Sequence, residues 1–461
     1  MDFNEAQTEN KKGKYTKGQK ILQMTELYVN KFGDGLVYCY SWNNFLKYNG
    51  NYYDIYNKKQ MERDIFKFVR KEFPDYALMP STLENIFSLI QTLIERQVSD
   101  LELAHNYFAF EEQLLNTDTL EWEEFDREKL VFKYLPYKKE DLEGHMPNFK
   151  KYLQTSLVDP DEKTDNALIF LYQEMLGALF SSQKEARKVF FLKGDGDNGK
   201  SITTELLLNI FDGKFISAAS LQSLTSDNFG KSALVGKLLN ICSEEESTRV
   251  KNDTFKCLVT GELIQTQRKF ESSFEFHNHA KFIFATNSSP QFSSLEYAMK
   301  KRMIIIPFYK RFKREEMDTK LLEKLHAELA SIVGWGLKGL ARLQKNKFEF
   351  TNSKYAVEEF SELELTMSSA INFFNTFYKI DTNSTYRWIP SDDMYPSYAE
   401  WCKNNGYQKM NVINFGKTLS SIDGVKKNRV NGKNYYYHIS KRDLKGRDGD
   451  GEYKDLDQIK F

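Results

Sequence analysis

Cysteine, proline and long apolar runs are scarce in this chain. Only four cysteines and nine prolines occur among its 461 residues. No apolar run approaches the ~18 residues that span a bilayer, and the first ten residues (MDFNEAQTEN) lack the apolar core of a signal peptide. The cysteines are far apart and form no C-x-x-C pair, which argues against a zinc cluster or a disulfide framework and fits a reducing compartment; they are Cys39, Cys242, Cys257 and Cys402. These absences predict a soluble protein of the cytoplasm with no membrane partner.

An excess of charge of either sign is also absent. The 65 Lys and Arg residues balance 65 Asp and Glu residues, so the formal net charge is zero. Global basicity therefore does not indicate nucleic-acid binding, and any such surface must be local. The chain is 41% apolar and 28% charged, as is usual for globular domains, and its length predicts about three of them.

The most informative stretch present is KVFFLKGDGDNGKS, which begins at Lys188. Its apolar part, 189–193, predicts a strand, and the residues from Thr203 to Ile210 predict a helix. A G-x-x-x-x-G-K-S loop between a strand and a helix is typical of a phosphate-binding P-loop, and a chance Gly-rich turn is the weaker alternative. Lys200 would bind the β- and γ-phosphates of ATP, and Ser201 would ligate Mg²⁺. The predicted nucleotide-binding residues are Gly194, Gly196, Asn198, Gly199, Lys200 and Ser201.

Three glutamates follow a second apolar segment, KLLNIC, over 237–242. Carboxylates at the carboxyl end of a strand meet the ligand in open α/β sheets, where they hold Mg²⁺ and polarise the attacking water. A solvated acidic turn is the alternative. We assign Glu244 to the metal and Glu245 to the water, with Glu246 as an alternative to Glu245.

A third strand, KFIFAT, ends at Asn287, whose amide could hydrogen-bond the attacking water or the γ-phosphate. A strand-terminal Asn is a weak signal alone, because Asn favours turns. Arg302 precedes a further strand, MIIIPF. A cation there could serve the γ-phosphate of a neighbouring subunit as an arginine finger, although on spacing alone a charged residue that merely flanks a strand is the favoured alternative.

Two local basic patches are candidate DNA contacts. Arg268 and Lys269 lie beside Phe270 on a predicted hairpin inserted in the core. Towards the carboxyl terminus, two short helices and a hairpin around Asn431-Gly432 predict a winged helix. Nine basic residues between Lys409 and Lys445 oppose two acidic ones and alternate with tyrosines, which is typical of nucleic-acid binding, although a solvated hairpin is the alternative. Its candidate contacts are Lys426, Lys427, Arg429 and Lys433.

The half of the chain before the P-loop shows no catalytic signature. Asp159-Pro-Asp161 is its only tight D-x-D, in a polar run that favours a surface loop, so a two-metal polymerase or primase centre is not indicated. A helix is predicted from Ser81, with Ser81 and Glu84 as a capping box. Asn49-Gly50 predicts a hairpin turn.

The order of these motifs resembles the superfamily 3 helicases of the phage/plasmid primase and poxvirus-type helicase-primase family. The resemblance covers roughly residues 60–460 and is collinear, through LPY, FLKGDGDNGKS, LLNICSEEE, LVTGELIQTQRKF, KFIFATN and KKRMIIIPF. It implies that Arg268 and Lys269 belong to a DNA-gripping hairpin, Asn287 to sensor 1 and Arg302 to an arginine finger. Members are ring-shaped hexamers that move along single-stranded DNA, usually 3′ to 5′.

The sequence therefore predicts an α/β protein with a P-loop NTPase core of the AAA+-like superfamily 3 type, a mixed or helical amino-terminal domain and a winged-helix domain. The predicted parts are 1–60, a tail and small aromatic-rich region; 61–180, a helical domain; 181–347, the ATPase; 355–445, the winged helix; and 446–461, a polar tail. The predicted function is ATP- and Mg²⁺-dependent unwinding of forked DNA during replication of a phage, plasmid or other mobile element in a bacterial cytoplasm. A separate primase or other replication proteins would be partners. The alternative is an ATP-switched initiator or loader that does not unwind.

Overall fold

The structure, a computed structural model, describes residues 15–442 apart from 77–78, 246–248, 251, 270–272, 288–290, 293–296, 382–387, 406, 408, 421, 423 and 431. Backbone contacts divide these residues into two compact units. The first comprises the described parts of 1–246, 253–288 and 301–356, and the second comprises those of 247–252, 289–300 and 357–461. The finer division at 60 and 180 stays a prediction. In the described part of the chain, no helix is long and apolar enough to cross a membrane.

The first unit begins with three helices around a four-stranded sheet. The hairpin predicted from Asn49-Gly50 is observed, with Gly50 at φ 111° between two antiparallel strands. Fully buried Phe45, Ile65 and Ile86 lie in the core that the helices share with this sheet. The sheet order is β3-β2-β1-β4. Its elements are α1 (Lys17–Phe32), β1 (Leu36–Cys39), β2 (Asn44–Tyr48), β3 (Tyr53–Tyr56), α2 (Lys58–Glu72), α3 (Pro80–Leu93) and β4 (Gln97–Val98).

The capping box predicted at Ser81 and Glu84 is wrong. Helix α3 begins at Pro80, and its N-cap residue is Met79, which makes no side-chain cap. Proline is well suited to the first helical position, because its fixed φ fits the helix and its missing N–H would have no partner there. The helix therefore begins one residue before Ser81.

Residues 97–180 are mixed rather than helical throughout. A small antiparallel sheet, in the order β5-β6-β7, precedes two helices that end close to the central sheet. Asp165 caps the second helix by accepting hydrogen bonds from the amides of Ala167 and Leu168. The elements are β5 (Tyr107–Ala109), β6 (Leu114–Asn116), β7 (Trp122–Glu123), α4 (Pro147–Ser156) and α5 (Asn166–Phe180).

The centre of the first unit is a five-stranded sheet in the order β16-β8-β14-β10-β9, with every pairing parallel. Its strands are apolar runs buried on both faces, as helix-covered parallel strands require. The strand predicted over 189–193 has those bounds, and the strand predicted at KFIFAT also matches. The elements from here to the end of this unit are given next, together with three short elements of the second unit, which are β11, β15 and α10. They are β8 (Val189–Lys193), α6 (Lys200–Ile210), β9 (Ile216–Ser217), α7 (Leu221–Ser226), α8 (Asn228–Lys231), β10 (Leu239–Glu245), β11 (Arg249–Val250), α9 (Asn252–Thr260), β12 (Leu263–Gln267), β13 (Ser273–His277), β14 (Lys281–Thr286), β15 (Gln291–Phe292), α10 (Tyr297–Lys300), β16 (Met303–Pro307), α11 (Leu321–His326) and α12 (Leu329–Lys345).

Helices α5 and α12 touch through their backbones. A Cβ on Gly177 would overlap the backbone nitrogen of Leu340, and one on Gly339 would overlap the carbonyl of Gln173. Beside this contact the fully buried Glu174 accepts a hydrogen bond from Arg342 Nε at 2.8 Å. Only glycine permits so close an approach.

The second unit has its own apolar core, which includes Phe373, Tyr398, Phe415 and Tyr436. The two predicted helices are observed with longer bounds, and the predicted hairpin is formed by β19 and β20. Its turn includes Gly432 at φ 81°, whereas Asn431 lies outside the described residues. The elements after α12 are α13 (Lys354–Met367), α14 (Ser369–Phe377), β17 (Tyr378–Ile380), β18 (Ile389–Pro390), α15 (Ser391–Asn405), α16 (Val412–Ser420), β19 (Lys426–Val430), β20 (Lys433–Tyr437) and β21 (Ile439–Lys441).

Candidate functional site

The loop between β8 and α6 curls through left-handed backbone conformations. Gly196, Asp197 and Gly199 have φ values of 104°, 47° and 95°. A Cβ on Gly194 would overlap the side-chain amide of Asn198, which in turn donates a hydrogen bond to the Phe308 carbonyl at 3.2 Å. Glycine is favoured where φ is positive and is required where chains approach this closely, whereas Asp, as at position 197, tolerates the left-handed region. The loop is thus shaped by its glycines and fastened to the segment that follows β16.

Lys200 is the first residue of α6, and only 6% of it is exposed. Its ammonium donates hydrogen bonds to the Gly194 carbonyl and to Asn198 Oδ1, the latter at 3.1 Å. Burial lowers the pKa of Lys200, and Asp195 and Asp197 partly oppose this shift. The ammonium is therefore held inside the curl of the loop, where it bonds to oxygen acceptors of the loop itself. Ser201, the next residue, is exposed.

Two tyrosines that the sequence interpretation missed fix the start of α6. The Tyr152 hydroxyl donates to the Gly199 carbonyl at 2.9 Å and lies 2.7 Å from Thr203 Oγ1. The Tyr172 hydroxyl donates to the same Thr203 oxygen at 3.2 Å. These tyrosines come from α4 and α5. Tyr152 precedes Gly199 by 47 residues and Tyr172 precedes Thr203 by 31, so no local sequence signal connects them with the start of α6.

The two described glutamates at the end of β10 have different environments. Glu244 is exposed, whereas Glu245 is only 5% exposed. The Glu245 carboxylate accepts a hydrogen bond from the Leu221 amide, at the start of α7, at 2.9 Å. A register shift between Cys242 and Glu245 breaks the alternation of side chains along this strand. The role of Glu245 in positioning water stays a prediction; its observed contact anchors α7, and Glu246 lies outside the described residues.

Asn287 directly follows β14 and is exposed. In the sheet register Thr286 lies opposite both Lys193 of β8 and Glu245 of β10. The structure therefore brings the loop, the Glu244 segment and Asn287 to the same carboxyl edge of the sheet. Oxygen-bearing side chains at that edge suit Mg²⁺, which prefers oxygen ligands. Within the described residues, no group of three or more His, Cys, Asp and Glu side chains could hold a metal ion by itself.

Arg302 lies at the other edge. It directly precedes β16, and its carbonyl accepts a hydrogen bond from the Val189 amide, at the start of β8, at 2.7 Å. The structure thus separates Arg302 from the loop by the length of β8, as the arginine-finger hypothesis requires. Its action on a neighbouring subunit stays a prediction.

An open cavity of about 590 Å³ adjoins the loop and was not foreseen from the sequence. The Phe312 amide donates a hydrogen bond to the Asp197 carbonyl at 2.8 Å, which joins the loop to this cavity. A volume of this size fits a small-molecule ligand. The sequence feature that could have indicated this cavity is the basic run KRFKR, which begins at Lys310. The cavity is lined by Asp197, Arg311, Phe312, Lys313, Arg314 and Met317.

The predicted core hairpin is formed by β12 and β13 in antiparallel register. Lys269 in its turn is exposed, whereas Arg268 is half-buried. The Arg268 guanidinium donates to the Trp42 carbonyl at 2.8 Å and lies 4.9 Å from the centre of the Phe274 ring. The two predicted DNA contacts therefore differ, because Arg268 binds the amino-terminal part of its own chain. Phe270 lies outside the described residues.

The carboxyl-terminal hairpin presents its basic residues to solvent. Every residue of β19 is exposed, including Lys426, Lys427 and Arg429, and so is Lys433. The Lys427 ammonium lies 5.9 Å from the Tyr436 ring, and Lys433 is 3.8 Å from Asp392. Exposed pairs of this kind contribute little to stability, so these cations remain accessible to a polyanion.

Three family models match parts of the chain. A poxvirus D5 protein-like model matches residues 365–445, a D5 N-terminal-like model matches 24–158, and a family of unknown function matches 192–302. The chain is 22% identical to the protein named primase D5 of fowlpox virus over 255 residues. That match covers 51% of this chain and 31% of the relative, so the chain spans about a third of its length.

Solved structures of the NrS-1 carboxyl-terminal region are similar to this chain. The A form of the apo structure is 15% identical, covers 90% of this chain and 97% of its own, and gives a TM-score of 0.49. A second apo structure of that region is 14% identical, covers 90% and 98%, and gives a TM-score of 0.44.

Proposed function

Since this chain belongs to the D5-type primase-helicase family, as its matches to the poxvirus D5 models indicate, we propose that it is an ATP-dependent DNA helicase. The resemblance predicted from its motifs is thereby confirmed, and a role in replication follows from the family. The ATPase and the unwinding activity are our proposal.

One observation carries the proposal: the loop that leads into Lys200, the exposed Glu244 and Asn287 share the carboxyl edge of a parallel sheet. Ligands of open α/β sheets bind outside the carboxyl ends of the strands. The loop adds a helix amino terminus, which favours a phosphate group. This combination supports a P-loop nucleotide site rather than an ordinary glycine turn.

In this proposal the side chains divide the work of hydrolysis. Lys200 would exchange the Gly194 carbonyl and the Asn198 amide oxygen for phosphate oxygens, which are stronger acceptors. Ser201 and Glu244 would hold Mg²⁺, which when bound neutralises charge that develops on the phosphates. Asn287 would orient the attacking water, and Arg302 of a neighbouring subunit would stabilise the transferred group.

DNA contact is assigned to two surfaces, each within one unit. The exposed Lys269 at the hairpin turn would grip phosphates of a single strand in a ring of subunits. The exposed cations of β19 and Lys433 would add a wing of a winged helix that binds duplex DNA. A homo-oligomer, a hexamer by analogy with the family, would bring neighbouring Arg302 and Lys200 together.

The test is unwinding of a labelled duplex with a 3′ or a 5′ single-stranded tail. We expect ATP-dependent strand displacement on one of the two substrates and its loss in Lys200→Ala, together with the ATPase. The exposed Lys184→Ala, ahead of the same strand, is the matched control and should keep both activities. Substantial ATP turnover in Lys200→Ala would overturn the site assignment.

One observation favours a second candidate, a DNA-binding initiator or loader that uses ATP as a switch. Arg268 binds Trp42 of its own chain, so half of the predicted gripping pair is engaged in holding the fold together. The same substrates separate the two functions. A switch gives ATP-dependent footprints on DNA but displaces no strand.

A further inference from the structure

A second cavity lies at the amino edge of the central sheet, away from the P-loop. Its walls include Arg187 just before β8, Leu238 just before β10 and Lys281 at the start of β14. His105, Lys133 and the end of α5 complete the enclosure. The cavity has a volume of about 20 Å³, enough for one water molecule or one ion of similar size.

Two lysines and one arginine line this cavity. Lys133 is 3% exposed and Lys281 is 5% exposed, while Arg187 is half-buried. The Lys133 ammonium donates to the His105 carbonyl and lies 4.2 Å from the Phe108 ring centre, and Arg187 Nη1 donates to the Thr260 carbonyl at 2.5 Å. For the Lys281 ammonium, the described residues provide neither a hydrogen-bond acceptor nor an ion-pair partner.

Acidic groups lie nearby but are engaged elsewhere. Asp118 accepts hydrogen bonds from Ser182 Oγ at 3.3 Å and Gln183 Nε2 at 2.7 Å. Asp100 accepts one from the His277 amide at 2.9 Å, and the same carboxylate oxygen lies 4.0 Å from Nε2 of His279, which lines the cavity. Within the described part of the chain, no carboxylate lies within 4.0 Å of the Lys133, Lys281 or Arg187 cation.

Two histidines add polarity without adding positive charge. The rings of His105 and His279 stack with their centres 3.5 Å apart. Burial lowers the pKa of His105 to about 3, and it lowers the pKa of His279 well below its usual value. Both rings are therefore neutral near pH 7, so the charge of the cavity is set by the lysines and Arg187.

Burying this cluster of cations destabilises the folded state unless an opposite charge compensates it. Burial lowers the pKa of Lys133 and of Lys281 to about 7. Repulsion from Arg187 and Lys133 acts in the same direction on Lys281, whereas attraction to Asp118 partly opposes the shift of Lys133. Buried charges in proteins are normally paired or lose their charge. A bound anion offers the pairing that no carboxylate among the described residues provides, whereas a water molecule would hydrate the cations without removing their mutual repulsion.

We propose that this cavity binds one small monovalent anion of the size of chloride between Lys281, Lys133 and Arg187. The volume is too small for a phosphate ester, and three cationic side chains line the same cavity. The site joins the amino ends of three strands of the sheet to the segments that carry His105 and Lys133. The anion thus stabilises the packing of those segments on the sheet, independently of any nucleotide.

Thermal unfolding of the full chain tests this proposal. The salt is exchanged from sodium gluconate to sodium chloride at constant ionic strength and pH 7. We expect a saturable rise of the midpoint of about 2–4 °C, as for a ligand that binds only the native state. Lys281→Met should abolish the rise, and Lys237→Met, which removes a half-buried lysine two residues before β10, should retain it. No rise in the wild type, or an equal rise in Lys281→Met, would overturn the site.

Crystals of the wild type grown in sodium bromide provide a direct measurement that needs no variant. An anomalous difference peak from bromide is expected within hydrogen-bond distance of the Lys281 ammonium. If Lys281→Met fails to fold, this measurement decides alone. A cavity with water density and no anomalous signal would refute the proposal.

Discussion

Lys200 and Arg302 lie at opposite edges of the same parallel sheet. Val189 pairs with Met303 and Lys193 with Pro307, so β8 and β16 run side by side over their full lengths. Four residue steps of a strand cover about 13 Å. The loop leaves the far end of β8, whereas Arg302 adjoins its beginning through the Val189 amide. A phosphate bound at Lys200 is therefore beyond the reach of Arg302 in the same subunit.

This separation predicts complementation between two inactive variants. Arg302→Ala and Lys200→Ala should each lose ATP turnover, by about 10³-fold or more for the arginine. A mixture should regain part of it, because a Lys200→Ala subunit can still offer Arg302 to the intact P-loop of a neighbour. Steady-state ATPase is measured over a range of mixing ratios.

The double variant Lys200→Ala/Arg302→Ala is the control for that experiment. Mixed with Arg302→Ala it should restore nothing, since neither partner has the arginine. Equal recovery with the double variant, or no recovery in the first mixture at any ratio, would argue against action between subunits.

Alanine substitutions at the adjacent residues Arg268 and Lys269 should have different effects. Lys269→Ala should leave stability and ATP binding unchanged but remove DNA-stimulated turnover and unwinding, because this lysine is exposed. Arg268→Ala should lower the free energy of unfolding by about 1–2 kcal/mol, because it loses its bond to the Trp42 carbonyl. Urea denaturation and DNA-stimulated ATPase are measured on both. Intact unwinding by Lys269→Ala would contradict its role.

Tyr152→Phe should weaken ATP binding several-fold, although it removes no group that is proposed to contact a phosphate. It removes the hydroxyl that donates to the Gly199 carbonyl at the start of α6, and a lost hydrogen bond of a buried group costs about 1–2 kcal/mol. Tyr172→Phe is the matched control, because its hydroxyl bonds Thr203 and Tyr152 but not the Gly199 carbonyl. Fluorescent-nucleotide titration should show weaker binding in the first variant alone. Equal affinities would mean that Tyr152 supports the fold and not the loop.

The buried lysines predict a pH dependence of stability in gluconate buffer. Burial lowers the pKa of Lys281 to about 7 from its usual 10.5, so between these values the unfolded chain holds a proton that the folded chain has lost. Stability should therefore rise with pH above 7, by at most about 1.4 kcal/mol per pH unit for this group. Denaturation curves of wild type and Lys281→Met at pH 6.5, 7.5 and 8.5 measure it.

In that comparison the advantage of Lys281→Met over the wild type should shrink as the pH rises, because the substituted methionine carries no titrating proton in either state. The exposed Lys184→Met variant should follow the wild type at every pH. A constant difference between Lys281→Met and wild type across this range would show that Lys281 does not titrate there.

The central strands were predictable because their signal is local. Val189–Lys193 and Lys281–Thr286 are apolar runs of strand length, and both are observed with the predicted bounds. The glycines of the loop are also a local signal, since each lies where φ is positive or where another group approaches the backbone closely. The carboxyl-terminal hairpin followed from Asn431-Gly432 for the same reason.

Features that depend on partners distant in sequence were not predictable. Glu245 is buried because the strand register shifts and because its carboxylate accepts a hydrogen bond from an amide on α7. A run of three glutamates does not indicate either feature. Tyr152 reaches the loop only through the packing of α4. In the sequence Lys281 looks like an ordinary first residue of a strand, and only the fold places Lys133 and Arg187 near it.

The glycine contact between α5 and α12 has a consequence for motion. Because the two backbones touch at Gly177 and Gly339, and Arg342 bonds to Glu174, neither helix can slide or rotate without the other. The pair therefore moves as one rigid body. A conformational change that displaces one of these helices should therefore displace the other, whereas the segment from Gly194 to Gly199 lies outside this contact.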